Sequence, residues 1–261
     1  MNFGESLEEL RGSILRDAST LKSGPPDHYW TDTALALYIN EAYRRFARRS
    51  FCIRDNTTAE VTQVELVASQ SVYSLHPSIL RVTSARHQDS RQDLVRVTHA
   101  INYARINPQT DPVNYAARTD LYPDSTIPAS EGQPLEYATD EGLDVEDEHQ
   151  IQLLVRPQPN AAQAGKIIYL RTIRTPLVPL TLDDLEQPLE IPVDCQLDML
   201  EWAAYRALRN WDGDAEDRAK ADKHKERFEE AIKEIRREVE DKMLQPPTWA
   251  FGQGGFSYIH N

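Results

Sequence analysis

The sequence predicts an α+β protein. Helices from the N- and C-terminal regions form one bundle, an antiparallel β-sandwich-like domain is inserted between them, and an extended C-terminal tail follows. Three observations support this prediction. Apolar residues recur every three or four positions near both ends of the chain, which is the helical period. In the middle they alternate every second position, as they do in strands. The last 17 residues contain no Asp, Glu, Lys or Arg.

Two helices are predicted near the N-terminus. The first covers residues 6–21, because Ser6 and Glu9 form a capping-box pattern and leucines follow at helical spacing. The second runs from Thr31 to Phe51, with Thr31 as its cap. Its expected buried stripe is Leu35, Tyr38, Ile39, Ala42, Tyr43 and Phe46. Several arginines occupy its last turns, where cations suit the negative end of the helix dipole.

Two further helices are predicted near the C-terminus. One begins near Val193, with a stripe of Leu197, Leu200, Ala203, Ala204, Ala207, Leu208 and Trp211. The last runs from Asp214 to about Leu244, with a stripe of Ala221, Phe228, Ile232, Ile235, Val239 and Met243. Such amphipathic helices need a partner, so we expect both pairs to pack together. The predicted units are residues 1–55 and 176–244 for the bundle, 56–175 for the β-rich domain and 245–261 for the tail.

The middle of the chain carries the strand signals. Strand-like runs cover residues 61–67, 71–75, 80–87, 94–99, 135–138, 151–156 and 166–172. Short strands separated by turn residues, without long helices between them, favour an antiparallel sandwich or a barrel-like sheet. Residues 107–149 contain five prolines and a dense acidic patch, which indicates a long excursion from this sheet.

The composition limits the classes of function. A net charge of −13 argues against a protein that reads nucleic-acid sequence, but it suits one that lets DNA pass without gripping it. Two cysteines, Cys52 and Cys195, make no disulfide framework and fit a reducing compartment. Neither a membrane span nor the order of a signal peptide is recognisable, so we expect a cytoplasmic protein that does not contact membranes.

No motif for catalysis or for a cofactor is recognisable. The seven histidines lack HxxxH and HExxH spacing, and neither a glycine-rich phosphate loop nor a GxSxG elbow is present. The acidic segment 140–148 does not fit the EF-hand pattern, which favours a solvated loop. We therefore predict no enzyme, no metal and no cofactor. A carboxylate-based hydrolase using Asp140, Asp144 and Asp147 stays as the alternative.

The tail is the strongest candidate for binding. After Pro246 and Pro247 come the predicted anchors Trp249, Phe251, Phe256, Tyr258 and Ile259. Aromatic side chains are common anchors of interfaces, and an uncharged aromatic segment is unlike a disordered tail. Fully extended, the segment reaches ~55 Å. The alternative is that it folds back on its own domain.

A second candidate surface is the arginine cluster of the second helix. Arg44, Arg45, Arg48 and Arg49 are predicted to lie at a subunit interface. Two alternatives are open for them: contact with phosphate, or pairing with acids of the last helix.

Five stretches resemble a known family. They are LEELRGSILRDAS, WTDTALALYINEAYRRFARRS, VYSLHPSILRVTSAR, QLLVRPQPNAA and EIPVDCQLDMLEWAAYRALRN. In this order they are similar to the bacteriophage head-to-tail adaptors, also named connector proteins. None of them is an active-site signature, and residues 100–149 have no counterpart.

The resemblance implies a structural protein of the virion. It implies a homo-oligomeric ring, expected to be a dodecamer, docked beneath the portal protein with DNA passing through its centre. The C-terminal extension would contact the portal, and the β-rich domain would face the tail nozzle or tail tube. Such a protein is assembled in the host cytoplasm and ends in the neck of the virion. A neck stopper or a tail-completion protein is the related alternative.

Overall fold

The computed structural model describes residues 1–16, 29–97, 131–139, 151–210 and 215–244. Within them lie the helices α1 Phe3–Glu9, α2 Asp32–Ser50, α3 Ala59–Thr62, α4 Gln196–Asn210 and α5 Ala215–Leu244. A π-helical turn, Leu10–Ile14, follows α1, and a 3-10 turn, Val193–Cys195, leads into α4. The strands are β1 Arg54–Asp55, β2 Gln63–Glu65, β3 Val72–Ser74, β4 Ile79–His87, β5 Val95–Arg96, β6 Glu131–Gly132, β7 Glu136–Thr139, β8 Gln152–Arg156, β9 Gln158–Pro159 and β10 Ile167–Arg174. The chain is therefore α+β, as predicted.

Helix α1 begins earlier than its sequence pattern predicts. Asn2 and Glu5 form the capping box, each side chain accepting a 2.8 Å hydrogen bond from the backbone N–H of the other. The predicted box of Ser6 and Glu9 is wrong. Ser6 is buried inside the helix, and its hydroxyl donates to the Asn2 carbonyl at 2.7 Å. Asparagine is as good an N-cap residue as serine, so the earlier pair, Asn2 and Glu5, sets the start of the helix. The predicted end near Leu21 lies outside the described residues.

Helix α2 confirms the prediction from Thr31 to Phe51. The Thr31 hydroxyl accepts a hydrogen bond from the Ala34 N–H at 3.2 Å. Phe51 ends the helix in the left-handed region, with φ at 58°. The stripe Leu35, Ile39, Ala42, Tyr43 and Phe46 is buried, and Tyr38 packs against its edge.

Helices from both ends of the chain share one hydrophobic core. The ring centroids of Phe46 and Phe228 lie 5.9 Å apart, and those of Trp202 and Phe228 lie 5.2 Å apart. Phe3 and Leu10 from the N-terminus are buried in the same core. One residue of the predicted α4 stripe is wrong: Leu197 faces outward, and Met199 is among the residues buried there instead.

The strands of the described ranges form two four-stranded sheets and one pair. The first sheet has the order β1-β10-β2, with β4 also pairing β10, and the second has the order β3-β8-β7-β5. Most pairings are antiparallel, but β5 with β7 and β6 with β9 are parallel. The first two sheets bury a common core, which includes Val82, Ile168, Leu153 and Val155. This arrangement is sandwich-like and mainly, not wholly, antiparallel.

The strand predicted over residues 61–67 is shorter than expected. The Asp55 carboxylate accepts hydrogen bonds from the backbone N–H groups of Thr57 and Thr58, at 2.9 and 3.0 Å. The turn that these bonds fix leads into α3, and only β2 is extended. A side chain that binds the backbone two or three residues ahead competes with the sheet ladder.

The crossing from the strands back to the helices lies against α2 and α1. The Asn40 side chain binds both the N–H and the carbonyl of Leu180, at 2.9 and 2.8 Å. The backbone N–H of Gly4 donates to the Leu185 carbonyl at 2.8 Å. A Cβ on Gly4 would lie 3.3 Å from both the carbonyl oxygen and the Cβ of Leu185, so a larger residue there would push Leu185 away by a few tenths of an ångström.

A buried ionic cluster lies where the helical core meets the strand core. Arg174 at the end of β10 donates from Nε to Asp55 at 2.6 Å and from Nη1 to Glu190. Burial alone would raise the pKa of Asp55. Hydrogen bonds from Thr58, Thr57 and Arg174 outweigh burial and hold that pKa well below its usual range. The cluster joins β1 to the end of β10 and to the crossing that follows β10.

Among the described helices, none has the combined length and apolar content needed to cross a membrane.

Candidate interaction surfaces

The outer face of α2 carries an exposed stripe of one apolar and two basic side chains. Leu37 is 66% exposed, and Arg44 and Arg48 follow it at steps of seven and four residues. This spacing puts all three on the side of the helix away from the buried stripe. Neither arginine has an ion pair within the described part of the chain. We name these three residues the α2 stripe.

The other two arginines of the cluster act inside the subunit. Arg49 binds the Glu229 carboxylate of α5 through two hydrogen bonds, of 2.5 and 2.6 Å. These bonds lower the pKa of Glu229. The guanidinium carbon of Arg45 lies 3.9 Å from the centroid of the Trp202 ring, a cation–π contact. One of the two alternatives for the cluster is pairing with an acid of the last helix. Arg49 forms such a pair, with Glu229.

Glu41 lies next to the α2 stripe and is bound inside the subunit. Its carboxylate accepts a 3.1 Å hydrogen bond from the Trp202 indole N–H. It also forms a 3.3 Å ion pair with Arg206 of α4. This carboxylate is therefore already paired with a cation inside the subunit.

A groove of about 600 Å³ lies between the start of α4, the second half of α5 and the segment that follows α2. Five carboxylates line it: Glu190, Asp194, Asp198, Glu234 and Glu238. Among the described residues, Arg54 is the one Lys or Arg in its lining, and its guanidinium donates to the Val239 carbonyl at 3.3 Å. We name this cavity the acidic groove.

One carboxylate of the acidic groove, Asp198, is disfavoured in its ionised form. Burial raises the pKa of Asp198, and the neighbouring Glu201 and Glu234 raise it further. Glu201 lies three residues from Asp198 on α4, where like charges repel, and Glu234 belongs to α5. Glu190, another acid of the groove, binds Arg174.

Two exposed apolar residues are neighbours in the chain of the aspartates that line the acidic groove. Val193 is 74% exposed and Leu197 is 56% exposed, and each directly precedes one of the aspartates. Sequence reasoning missed this surface, because it assigned Leu197 to the buried stripe. The sequence pattern that could have identified it is the repeated apolar–acid pair, Val193-Asp194 and Leu197-Asp198.

The same groove contains both cysteines, which are free thiols. Burial raises the pKa of Cys195 to about 12 and raises that of Cys52 as well. Both thiols are therefore protonated at neutral pH, which suppresses nucleophilic chemistry. Within the described ranges, no group of three or more His, Cys, Asp or Glu side chains is arranged to hold a metal ion.

Other predicted residues fall outside the described ranges. These are the tail anchors Trp249, Phe251, Phe256, Tyr258 and Ile259, and the acids Asp140, Asp144 and Asp147 of the alternative hydrolase.

Comparison with known proteins adds one finding. A family model described as SU10 adaptor protein matches residues 1–249 of the chain. The matched range includes the helical regions, the strand region and the first predicted tail anchor, Trp249. No curated protein matches the chain.

Proposed function

We infer the role of the chain from its family: it belongs to the SU10 adaptor protein family and is therefore a phage head-to-tail adaptor. We propose that it forms a ring between the portal and the tail of the virion. DNA passes through the centre of this ring, which we expect to be a dodecamer. The family match over residues 1–249 is the observation that carries the proposal. The family is one of structural phage proteins, and its role is that of a virion neck component.

In this proposal the chain binds its partners and performs no catalysis. The protonated thiols of Cys52 and Cys195 support this view, as does the use of Glu229 and Glu190 in internal ion pairs. The net charge of −13 supports a channel that repels phosphates, so DNA slides through without being held. The β-rich part then faces the next tail component, a nozzle or tube protein.

The tail supplies the contact with the portal. It combines five large apolar side chains with three glycines and no Asp, Glu, Lys or Arg, so its affinity depends on apolar burial and not on charge. Four of the five anchors, Phe251, Phe256, Tyr258 and Ile259, follow the end of the family match at residue 249. We therefore expect this contact to be specific to the portal that this chain meets.

The test uses a chain truncated after Gln245. It should unfold at the same temperature as the full chain but lose measurable binding to purified portal rings. A matched control replaces Gln253, Ser257 and Asn261 by alanine, which keeps every apolar anchor and should keep binding. Normal binding by the truncated chain would show that the tail is not the anchor. Cross-linking in intact particles then distinguishes an adaptor on the portal from a stopper or a tail-completion protein further along the neck.

A further inference from the structure

Both acids of α2 are bound inside the subunit. Asp32, in the first turn, forms an ion pair of 2.6 Å with Arg11. Glu41 binds the indole N–H of Trp202 and forms an ion pair with Arg206. The sequence of α2 contains no other Asp or Glu. The outward face of this helix therefore carries no carboxylate that is free to match its own cations.

Three arginines of α2 keep a charge that no carboxylate of the described residues matches. Arg44 and Arg48 are exposed and have no ion pair in this part of the chain. Arg45 lies over the ring of Trp202, which is uncharged, so the contact leaves its positive charge in place. Arg49 differs, because an acid of α5 binds it. Three cations without a matching acid thus lie close together on one helix.

The charged surface of α5 is of a different kind. Lys233 and Arg237 are also exposed and four residues apart, but Glu230 lies three residues before the first and Glu234 three residues before the second. Opposite charges at this spacing attract each other on a helix. No acid lies within four residues of Arg48 in either direction. The outward face of α2 is therefore of one sign, in a chain whose net charge is −13.

The spacing of the two arginines in the α2 stripe suits an anion. Arg44 and Arg48 are four residues apart, which is ~6 Å along a helix axis. Like charges at this interval repel each other, and an anion that lies between them relieves the repulsion. A guanidinium group also binds phosphate oxygens through two parallel N–H donors. Both groups lie on the convex side of a helix, which suits a long polyanion.

The pattern favours the phosphates of a nucleic acid over another protein surface. Basic side chains in a row along a helix are the usual footprint of phosphate binding. Interfaces between proteins usually have a central area from which charged residues are depleted. Leu37, the exposed apolar member of the α2 stripe, lies seven residues from Arg44, which is ~10 Å along the axis. It is therefore at one end of the stripe and not at its centre.

We propose that Arg44 and Arg48 of each copy face the channel of the ring and contact the phosphates of the DNA that passes through it. This contact rests on the ring and the DNA passage proposed above, and it identifies the surface that meets the DNA. Phosphate contacts carry no sequence information and are equivalent along the duplex, so the DNA still slides. The net charge of −13 opposes tight binding, so the arginines guide the duplex and do not hold it.

The test measures how a short fluorescent DNA duplex binds to rings assembled on purified portal, with portal alone as the background. The test variant carries Arg44→Gln and Arg48→Gln, at two exposed positions where the fold should tolerate the change. Its affinity for the duplex should fall about tenfold or more at low salt. The slope of log affinity against log salt should decrease by about one for each phosphate contact that is lost.

Two control variants separate a phosphate contact from other effects. Arg44→Lys with Arg48→Lys keeps the charge, so it should bind DNA more tightly than the glutamine variant does. Lys233→Gln with Arg237→Gln removes the same charge from the outward face of α5, and it should bind DNA like the wild type. Equal losses in this variant and in the test variant would show an effect of net charge alone and would contradict the proposed surface.

The remaining outcomes distinguish the contact from the ring. If rings of the glutamine variant bind DNA with the affinity and salt slope of the wild type, the phosphate contact is wrong while the ring stands. If that variant unfolds at the wild-type temperature but forms no rings, the arginines join copies or meet the portal, and the DNA contact is again wrong. If the wild type forms no ring on portal, the ring itself is wrong and the contact falls with it.

Discussion

Arg174 donates a hydrogen bond of 2.6 Å to the Asp55 carboxylate, although 119 residues separate the two along the chain. The other side of the guanidinium binds Glu190, and the Arg174 side chain is only 10% exposed. Glu190 in turn donates its backbone N–H to the Tyr43 hydroxyl of α2 at 2.7 Å. One cation thereby connects the last strand, the first strand and the crossing that leads back to the helices.

Replacing this cation should be strongly destabilising. Arg174→Met retains the apolar stem but leaves two carboxylates facing each other, and breaking a buried ion pair in this way costs roughly 3–5 kcal/mol. Urea unfolding of the purified chain measures the loss. Arg171→Met on the exposed face of the same strand is the control, with an expected change within about 0.5 kcal/mol. Equal unfolding midpoints for the two variants would contradict the structural role of the cluster.

The cluster should also make stability dependent on acid pH. Because the pKa of Asp55 is lower in the folded than in the unfolded chain, its contribution to stability is complete above the unfolded value of about 4. That contribution is lost as pH falls through the folded value. Asp55→Asn should therefore lower the urea midpoint at pH 7 and flatten its decline toward pH 2. The exposed Asp93→Asn serves as the comparison and should keep the wild-type slope. An unchanged slope in Asp55→Asn would count against the ion pair.

Phe228 should be the most sensitive apolar position of α5. It is fully buried against both Phe46 and Trp202, and removal of such a ring costs about 3–5 kcal/mol. Phe228→Ala should also accelerate amide hydrogen exchange in α2, since α2 loses the partner of its aromatic ring. Leu197→Ala, at an exposed position of α4, should leave both measurements near wild type. Normal exchange in α2 of Phe228→Ala would mean that the two ends of the chain are packed independently.

Two glycines near the N-terminus should respond in opposite directions to alanine. Gly4→Ala places a Cβ against the backbone of Leu185, and such overpacking costs about 1–3 kcal/mol. Gly12→Ala meets no atom within 4 Å and restricts the unfolded chain, so it should stabilise the protein by about 0.5–1 kcal/mol. Thermal unfolding compares the two variants directly. A shift of the same sign in both would refute the close contact at Gly4.

The sequence predicted a helix boundary correctly where a single side chain sets that boundary. Thr31 was identifiable as a cap because its hydroxyl acts on a backbone group three residues away. The same rule failed at Ser6, since Asn2 satisfies it one turn earlier. Periodicity placed Leu197 inside the core, but the three-dimensional surroundings of α4 decide which side is covered, and they leave Leu197 exposed.

The interaction surfaces were less predictable because they depend on distant residues. All four arginines of α2 look alike in the sequence. Glu229 and Trp202, which occupy two of them, lie far along the chain. The acidic groove likewise combines residues from α4, α5 and the segment after α2. No local pattern shows that these carboxylates share one cavity, and none connects Asp55 with Arg174.

The shared helical core has a consequence for the order in which the chain folds during synthesis. Every described residue packed into the strand core lies between Val61 and Leu177, so this part of the core is complete in sequence before α4 and α5 have been translated. Phe46 has no contact with its aromatic partner, Phe228, until α5 has been synthesised. The middle of the polypeptide can therefore mature on the ribosome first, while α2, made earlier, keeps an apolar stripe uncovered until the end of translation. Chaperones that bind nascent apolar segments should thus contact α2 longer than any strand of the protein.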